Sequence, residues 1–267
     1  MREHTPMHAL RLAALLLAAP LLRAAQHDCF LLQRLGEARA YVSDVRECAV
    51  ASSPASTFKI PHAVIALDTG VVTDPLALVP WDGSKQDFPV WERDHSLDSA
   101  IKWSAVWFFR RTAALIGSER MKAELAKLGY ARDSFEGDVR YFWVTGDLVV
   151  SPREQLRFLS ALVRGTLPVE RKHLDAVKEA FRMPPGAITN ASGTHDFPLA
   201  WPKPLVVHAK SGNTTANAER VSWLIGYIES GRGTYLFVSR VRADGPLPAT
   251  AAIDLATRML NARAPKR

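Results

Sequence analysis

The sequence predicts an α/β fold of the α+β kind: a central antiparallel sheet flanked by helices, with an inserted helical lobe. Three observations predict it. Strand-like stretches gather at both ends of the chain, near 30–43 and 206–241, while the middle shows helical spacing. The 267 residues are 48% hydrophobic, enough to bury a full core in one large domain or two interleaved ones. No repeat, heptad run or low-complexity tract interrupts the pattern. The expected division is a signal peptide over 1–25 and one domain over 26–267. Within that domain a sheet lobe takes about 26–70 and 200–267, and a helical lobe about 71–199.

Taken in order, the chain begins with Arg2 and Arg11, a short apolar run from Leu12 to Leu22, and Ala24-Ala25. This is the pattern of a secretory signal, and the run is too short to span a bilayer. The alternative is a buried N-terminal helix. Export implies the periplasm and no stable membrane anchor. The two cysteines, Cys29 and Cys48, then read as a disulfide formed in an oxidising compartment, with two free thiols as the alternative. Phe30–Gln33 and Ala40–Ser43 read as a hairpin turning near Gly36-Glu37.

After Pro54 a helix runs to a stop at Gly70, and 73–87 is loop-like. Helical spacing from Leu97 closes at Gly117, and Ser118–Leu128 forms another helix closed by Gly129. Phe142–Val150 has strand-like composition but contains Gly146-Asp147, so an extended loop or short strand pair is expected. Ser151-Pro152-Arg153-Glu154 is a capping box with proline at the first helical position; its helix runs to Gly165. Arg171–Phe181 is a further helix. Val206–Lys210 reads as a strand, Ser222–Ile228 and Thr234–Val241 as a hairpin, and Ala249–Leu260 as the last helix.

The formal charge is +7, which falls to about +5 when 1–25 are removed. The charges are scattered, with no Lys/Arg block and no interleaved aromatic platform, which argues against nucleic acid as a partner. Attraction of anionic small molecules is the milder inference.

Chemistry concentrates at Ala55-Ser56-Thr57-Phe58-Lys59-Ile60-Pro61-His62. Residues i and i+3 share a helix face, so the Ser56 hydroxyl and the Lys59 amine can meet. A serine needs an adjacent base, and an amine is a base only when desolvated enough to be neutral; Phe58 and Ile60 supply apolar surroundings. A second Ser-x-x-Lys, Ser99 to Lys102, reads as coincidence. Three later stretches accompany the first. Ser104-Ala105-Val106 sets a hydroxyl in an apolar context, and Trp143 carries a donor that needs a partner if buried. Lys210-Ser211-Gly212 sits at a strand end, where glycine permits close backbone approach.

In this order and rough spacing, Ser-Thr-Phe-Lys, Ser-x-Val and Lys-Ser-Gly resemble the motifs of the class D, oxacillinase-type, serine β-lactamases. The resemblance extends over 53–62, Tyr141-Phe142-Trp143 with Gly146, Ser151 and Glu154-Gln155, and covers about 29–260. It implies a penicillin-binding/serine β-lactamase-like fold and hydrolysis of a β-lactam small-molecule substrate. On this resemblance Ser56 is the nucleophile and Lys59, as N6-carboxylysine, the general base. Ser104 relays a proton, and Lys210 holds the relay and the substrate carboxylate. The Ser56 and Asn213 N–H groups form an oxyanion hole beside Ser211, Gly212 and Val106, while Trp143 and Phe58 support the carbamate. No metal or cofactor is implied beyond carbon dioxide or bicarbonate for the lysine, and a homodimer stays open. Two departures bear on substrate range and turnover: Tyr130-Ala131-Arg132 stands where the family has Tyr-Gly-Asn, and Thr250 where it has an arginine. Arg240 or Arg242 is the candidate substitute for that arginine. The alternatives are a non-hydrolytic penicillin-binding sensor module and a peptidoglycan carboxypeptidase.

Overall fold

The computed structural model describes residues 26–265; the expected signal segment 1–25 lies outside them. A five-stranded antiparallel sheet has the order β2-β1-β7-β6-β5. Its strands are β1 (Gln26–Arg34), β2 (Tyr41–Val42), β5 (Leu205–Ala216), β6 (Glu219–Ser230) and β7 (Gly233–Ala243). Chain ends therefore meet in the sheet, β1 pairing with β7 from Gln26↔Ala243 to Arg34↔Tyr235. A separate hairpin, β3 (Ala187–Asn190) and β4 (Gly193–Asp196), was not expected, and it lies in the stretch read as helical. Its Ala-Ile-Thr-Asn and Gly-Thr-His-Asp strands are too short and too polar to announce themselves by alternation.

Period-two alternation sorts the strand side chains onto two faces. Leu31, Trp223, Ile225, Leu236 and Val238 join the larger core with the central helices. Phe30, Leu224, Ile228, Phe237 and Val241 face the other way, onto α8 (Ala251–Asn261) and the β3–β4 hairpin. In the larger core sits α1 (Lys59–Asp68), whose residues 59–67 are all buried. A helix apolar on every side has to be central rather than superficial.

Around it pack α2 (Leu97–Trp103), α3 (Val106–Ile116), α4 (Ser118–Leu128), the single turn α5 (Phe142–Thr145), α6 (Pro152–Arg164) and α7 (Arg171–Ala180). The predicted capping box forms: Ser151 Oγ accepts from Glu154 N–H while the Glu154 side chain takes up Ser151 N–H. Three expectations are corrected. The helical run from Leu97 is two helices, broken where Ser104 adopts the left-handed conformation at φ 59°. Phe142–Thr145 is helical rather than extended, stopped by Gly146 at φ 97°. Strand β5 continues to Ala216, so Lys210-Ser211-Gly212 lies mid-strand and not at its end. The two residues that turn β5 into β6, Asn217 and Ala218, both have positive φ, the geometry of a type I′ turn.

Cys29 and Cys48 form a disulfide, with Cα atoms 5.1 Å apart, across 19 residues of sequence. It ties β1 to the 3₁₀ turn Glu47–Ala49. Closing a loop of this size restricts the unfolded chain by about 3 kcal/mol. Replacing both cysteines with alanine is expected to lower the unfolding free energy by that amount in a denaturant titration; an unchanged midpoint would contradict it.

Candidate active site

The motif Ala55-Ser56-Thr57-Phe58 forms a 3₁₀ turn that feeds directly into α1, so Ser56 lies just ahead of the helix rather than within it. Ala55 enters the turn at φ 49°, a left-handed conformation unusual for a residue with a Cβ. Buried polar contacts hold it there. Thr57 Oγ1 donates to Pro54 O at 2.6 Å, Gln155 Nε2 donates to Thr57 Oγ1 at 2.8 Å, and the Tyr130 hydroxyl donates to Gln155 Oε1 at 3.3 Å. With the turn so fixed, Lys59 Nζ lies 2.6 Å from Ser56 Oγ.

Lys59 has no exposed surface. Burial holds its amine well below the usual lysine range, and the charges of Lys210 and Arg110 push it further down. No carboxylate offsets these effects, so burial and both neighbouring charges all act against the ammonium form beside Ser56. His62, one turn along α1, is also buried and neutral, its pKa lowered to about 3 by burial and by Lys59.

The second hydroxyl comes from the break between α2 and α3. The left-handed turn at Ser104 presents Ser104 Oγ to Lys210 Nζ at 3.1 Å, and the same amine donates to Ser211 O at 2.9 Å. Burial brings the Lys210 pKa down to about 7. Strand alternation puts Lys210 and Gly212 on one face of β5, toward the 3₁₀ turn. A Cβ on Gly212 would fall 2.9 Å from the backbone nitrogens of both Ser56 and Thr57. Only glycine allows this approach of strand to turn.

Trp143, fully buried on α5, stacks on Phe58 with ring centroids 5.6 Å apart. Its indole N–H has no hydrogen-bond partner. A buried donor left unpaired is costly, and it marks a place that suits an acceptor. Alpha-5 is held against the rest of the site by main-chain contacts: Ser53 Oγ donates to Trp143 O at 2.8 Å and Thr214 Oγ1 to Val144 O at 2.9 Å.

Ser56, Ser104, Val106, Ser211, Gly212 and Asn213 line one cavity of about 390 Å³, as do Val144 and Arg110. Lys59, Lys210, Trp143 and Phe58 are buried behind that lining. All the predicted site residues except the two cysteines thus converge. The second Ser-x-x-Lys does not form a site, because Ser99 Oγ is spent on the α2 cap, where it accepts from Ser96 N–H at 2.9 Å. Arg240 and Arg242 are not substitutes for a substrate-gripping arginine. Arg240 is fully buried, donating to Val50 O and Glu47, and Arg242 pairs with Glu47 and Glu219. Thr250 stands at the N-terminal boundary of α8 without a side-chain capping bond, its hydroxyl donating to Asp254 Oδ2 at 2.9 Å. Tyr130 is buried behind Phe58, and neither Ala131 nor Arg132 lines the cavity, so that departure falls outside the substrate space.

Sequence reasoning missed Arg110, four residues beyond Val106 and therefore on the same helix face, and that spacing was the available signal. It also missed Asn190 on β3, whose Nδ2 donates to Ser211 Oγ at 3.1 Å. Nothing in the sequence announced that contact. Among the described residues no His/Cys/Asp/Glu group could hold a metal ion, and no helix is long and apolar enough to cross a membrane.

Residues 34–261 match the family model described as the penicillin binding protein transpeptidase domain. A probable β-lactamase, YbxI of Bacillus subtilis (strain 168), is 31% identical, covering 85% of this chain and 78% of its own length. The β-lactamase OXA-48 of Klebsiella pneumoniae is 32% identical, covering 74% of this chain and 69% of its own. The crystal structure of a class D β-lactamase from Bacillus subtilis superposes with a TM-score of 0.75 at 28% identity, covering 89% of this chain and 91% of that one.

Proposed function

We propose that this chain, which belongs to the penicillin binding protein transpeptidase domain family and within it to the class D β-lactamases, hydrolyses β-lactam antibiotics through an acyl-enzyme on Ser56. One observation carries the reading: a fully buried lysine amine 2.6 Å from a hydroxyl that lines a cavity. Ser56 Oγ loses its proton as it attacks the ring carbonyl. The N–H groups of Ser56 and Asn213 receive the developing oxyanion. The Ser104 hydroxyl hands its proton to the departing ring nitrogen. Lys210, bonded to Ser104, supports that transfer and, with Ser211, draws in the substrate carboxylate.

The surroundings of Lys59 fit an anion. Trp143 Nε1 is an unpartnered donor, and Lys210 and Arg110 are cations that lower the amine pKa. A carboxylate added to Lys59 Nζ from carbon dioxide would supply a negatively charged base for Ser56 and for the water that clears the ester. Trp143 Nε1 would donate to it, Phe58 backs the indole, and Val106 and Val144 keep the amine dry. The periplasm is the proposed compartment, and the disulfide fits an oxidising one.

Intact-mass measurement after mixing with a penicillin tests this. A mass increase equal to the drug, mapping to Ser56 and disappearing as the drug is consumed, is expected. An adduct that persists for hours would support a penicillin-binding sensor, and no adduct would remove the serine mechanism. The pH dependence has a definite sign. Burial lowers the Lys59 pKa, so the neutral amine persists well below the ordinary lysine range and is lost only on acidification. Turnover is expected to rise from acid toward neutral pH as Lys59 loses its proton, and to fall again above about pH 7, where Lys210 loses the charge that draws in the substrate carboxylate. A rate that climbs only near pH ~10.4, the free lysine value, would contradict it.

A further inference from the structure

We propose that Arg110 is a positioning residue for Lys59, its guanidinium supplying the positive field that holds that lysine in its carboxylated form. The inference rests on the reading of Lys59 as a carboxylated base. It assigns a role to a residue outside the four motifs.

Arg110 lies on α3 one turn beyond Val106 and lines, with Val106 and Val144, the same cavity as Ser56, the partner of Lys59. Its guanidinium rests over the Tyr141 ring, 4.4 Å from the centroid, a contact that fixes the cation without neutralising it. Its Nε is buried with no hydrogen-bond partner, as is Trp143 Nε1. Among the described residues it makes no ion pair. An arginine half-buried at a cavity wall without a carboxylate is a cation in want of an anion.

The charges around Lys59 point the same way. From β5 comes Lys210, from α3 Arg110, and from α1 itself the neutral His62; the one acid on the cavity lining is Asp87, on the loop before α2. Arg110, and Lys210 below its pKa of about 7, set positive charge near a buried amine that has no acid beside it. In that setting an ammonium is repelled and an anion attracted. The Arg110 charge is among the causes that lower the Lys59 pKa.

The step it favours balances simply. Neutral Lys59 Nζ attacks the carbon of carbon dioxide and an N–C bond forms. One C–O π pair moves onto oxygen, and a proton leaves the nitrogen for solvent. Arg110 favours both ends of this change, opposing the ammonium before it and attracting the negative charge after it.

Carbon-13 NMR of the full chain titrated with ¹³C-bicarbonate reads the loading directly, without activity. In Arg110→Gln the bicarbonate concentration for half-loading is expected to rise about tenfold, equivalent to about 1.4 kcal/mol. The pH of half-loading should also move upward, because the cation opposing the ammonium is gone. Arg110→Lys, which keeps the charge, should restore both. Arg110→Met keeps the apolar stem over Tyr141 and serves as a second neutral variant should the glutamine form fold poorly. Neutral variants that load like the parent at the same pH would overturn the role of Arg110 and leave the carboxylated lysine intact. A lysine variant that behaves like glutamine would overturn it too. A parent showing no carbamate signal at any bicarbonate concentration would remove the carboxylated lysine and this proposal together.

Discussion

Replacing Lys59 with alanine is expected to cut turnover of a penicillin by at least about 10³-fold while leaving the protein folded. The magnitude follows from the lack of any substitute base. Lys59 Nζ is the partner of Ser56 Oγ, at 2.6 Å. Lys210 is engaged with Ser104 and the Ser211 carbonyl. The His62 Nε2 lies 3.0 Å from Thr112 Oγ1, and its pKa of about 3 makes it a poor proton acceptor. Added bicarbonate should not rescue the variant, because the nitrogen that would carry the carboxylate is gone. Steady-state kinetics with and without bicarbonate, together with a thermal melt, check this. A variant keeping a tenth of the parent rate would show that another group activates Ser56.

The second large effect is expected from Gly212→Ala. The added methyl would sit 2.9 Å from the backbone nitrogens of Ser56 and Thr57 and 3.2 Å from Ala55 Cβ. Backbone cannot yield as a flexible side chain can, so either β5 or the nucleophile turn must move. Displacing reacting groups by a fraction of an ångström toward 1 Å costs on the order of 10²-fold in rate. Overpacking costs about 1–3 kcal/mol in stability. The loss should therefore fall mainly on kcat, with a modest drop in melting temperature and with Lys59 still able to load bicarbonate. Unchanged kcat would mean that the turn carrying Ser56 tolerates movement and that its fit against β5 does not tune the reaction.

The sheet and the chemistry were legible in the sequence for a shared reason: both are carried by short local patterns. Short apolar runs rich in aromatic and β-branched residues in 222–228 and 234–241 mark strands, and Ser151-Pro152-Arg153-Glu154 marks a helix start. The order of Ser56-x-x-Lys59, Ser104-x-Val106 and Lys210-Ser211-Gly212 marks the site. What stayed hidden depends on backbone conformation without a composition signal. Ser104 breaks a continuous helical pattern by taking φ 59° where no Gly or Pro warns of it. Asn217-Ala218 makes a tight turn without the expected Asn-Gly, so the true length of β5 went unread. Phe142–Thr145 has the composition of a strand, yet packing won: Phe142 and Trp143 close around Phe58 as a helical turn. Arg240 and Arg242 looked available only because their partner Glu47 lies nearly 200 residues away in sequence.

On the proposed mechanism a dry amine on Lys59, once carboxylated, both fires and clears Ser56. Steady-state hydrolysis of a chromogenic cephalosporin, in buffer stripped of carbon dioxide and then supplied with bicarbonate, tests it most directly. Slow, decaying turnover is expected in stripped buffer, recovering severalfold on adding bicarbonate. Sustained turnover indifferent to bicarbonate at neutral and mildly acid pH would contradict it, as would one equivalent of acylation with no turnover in either buffer.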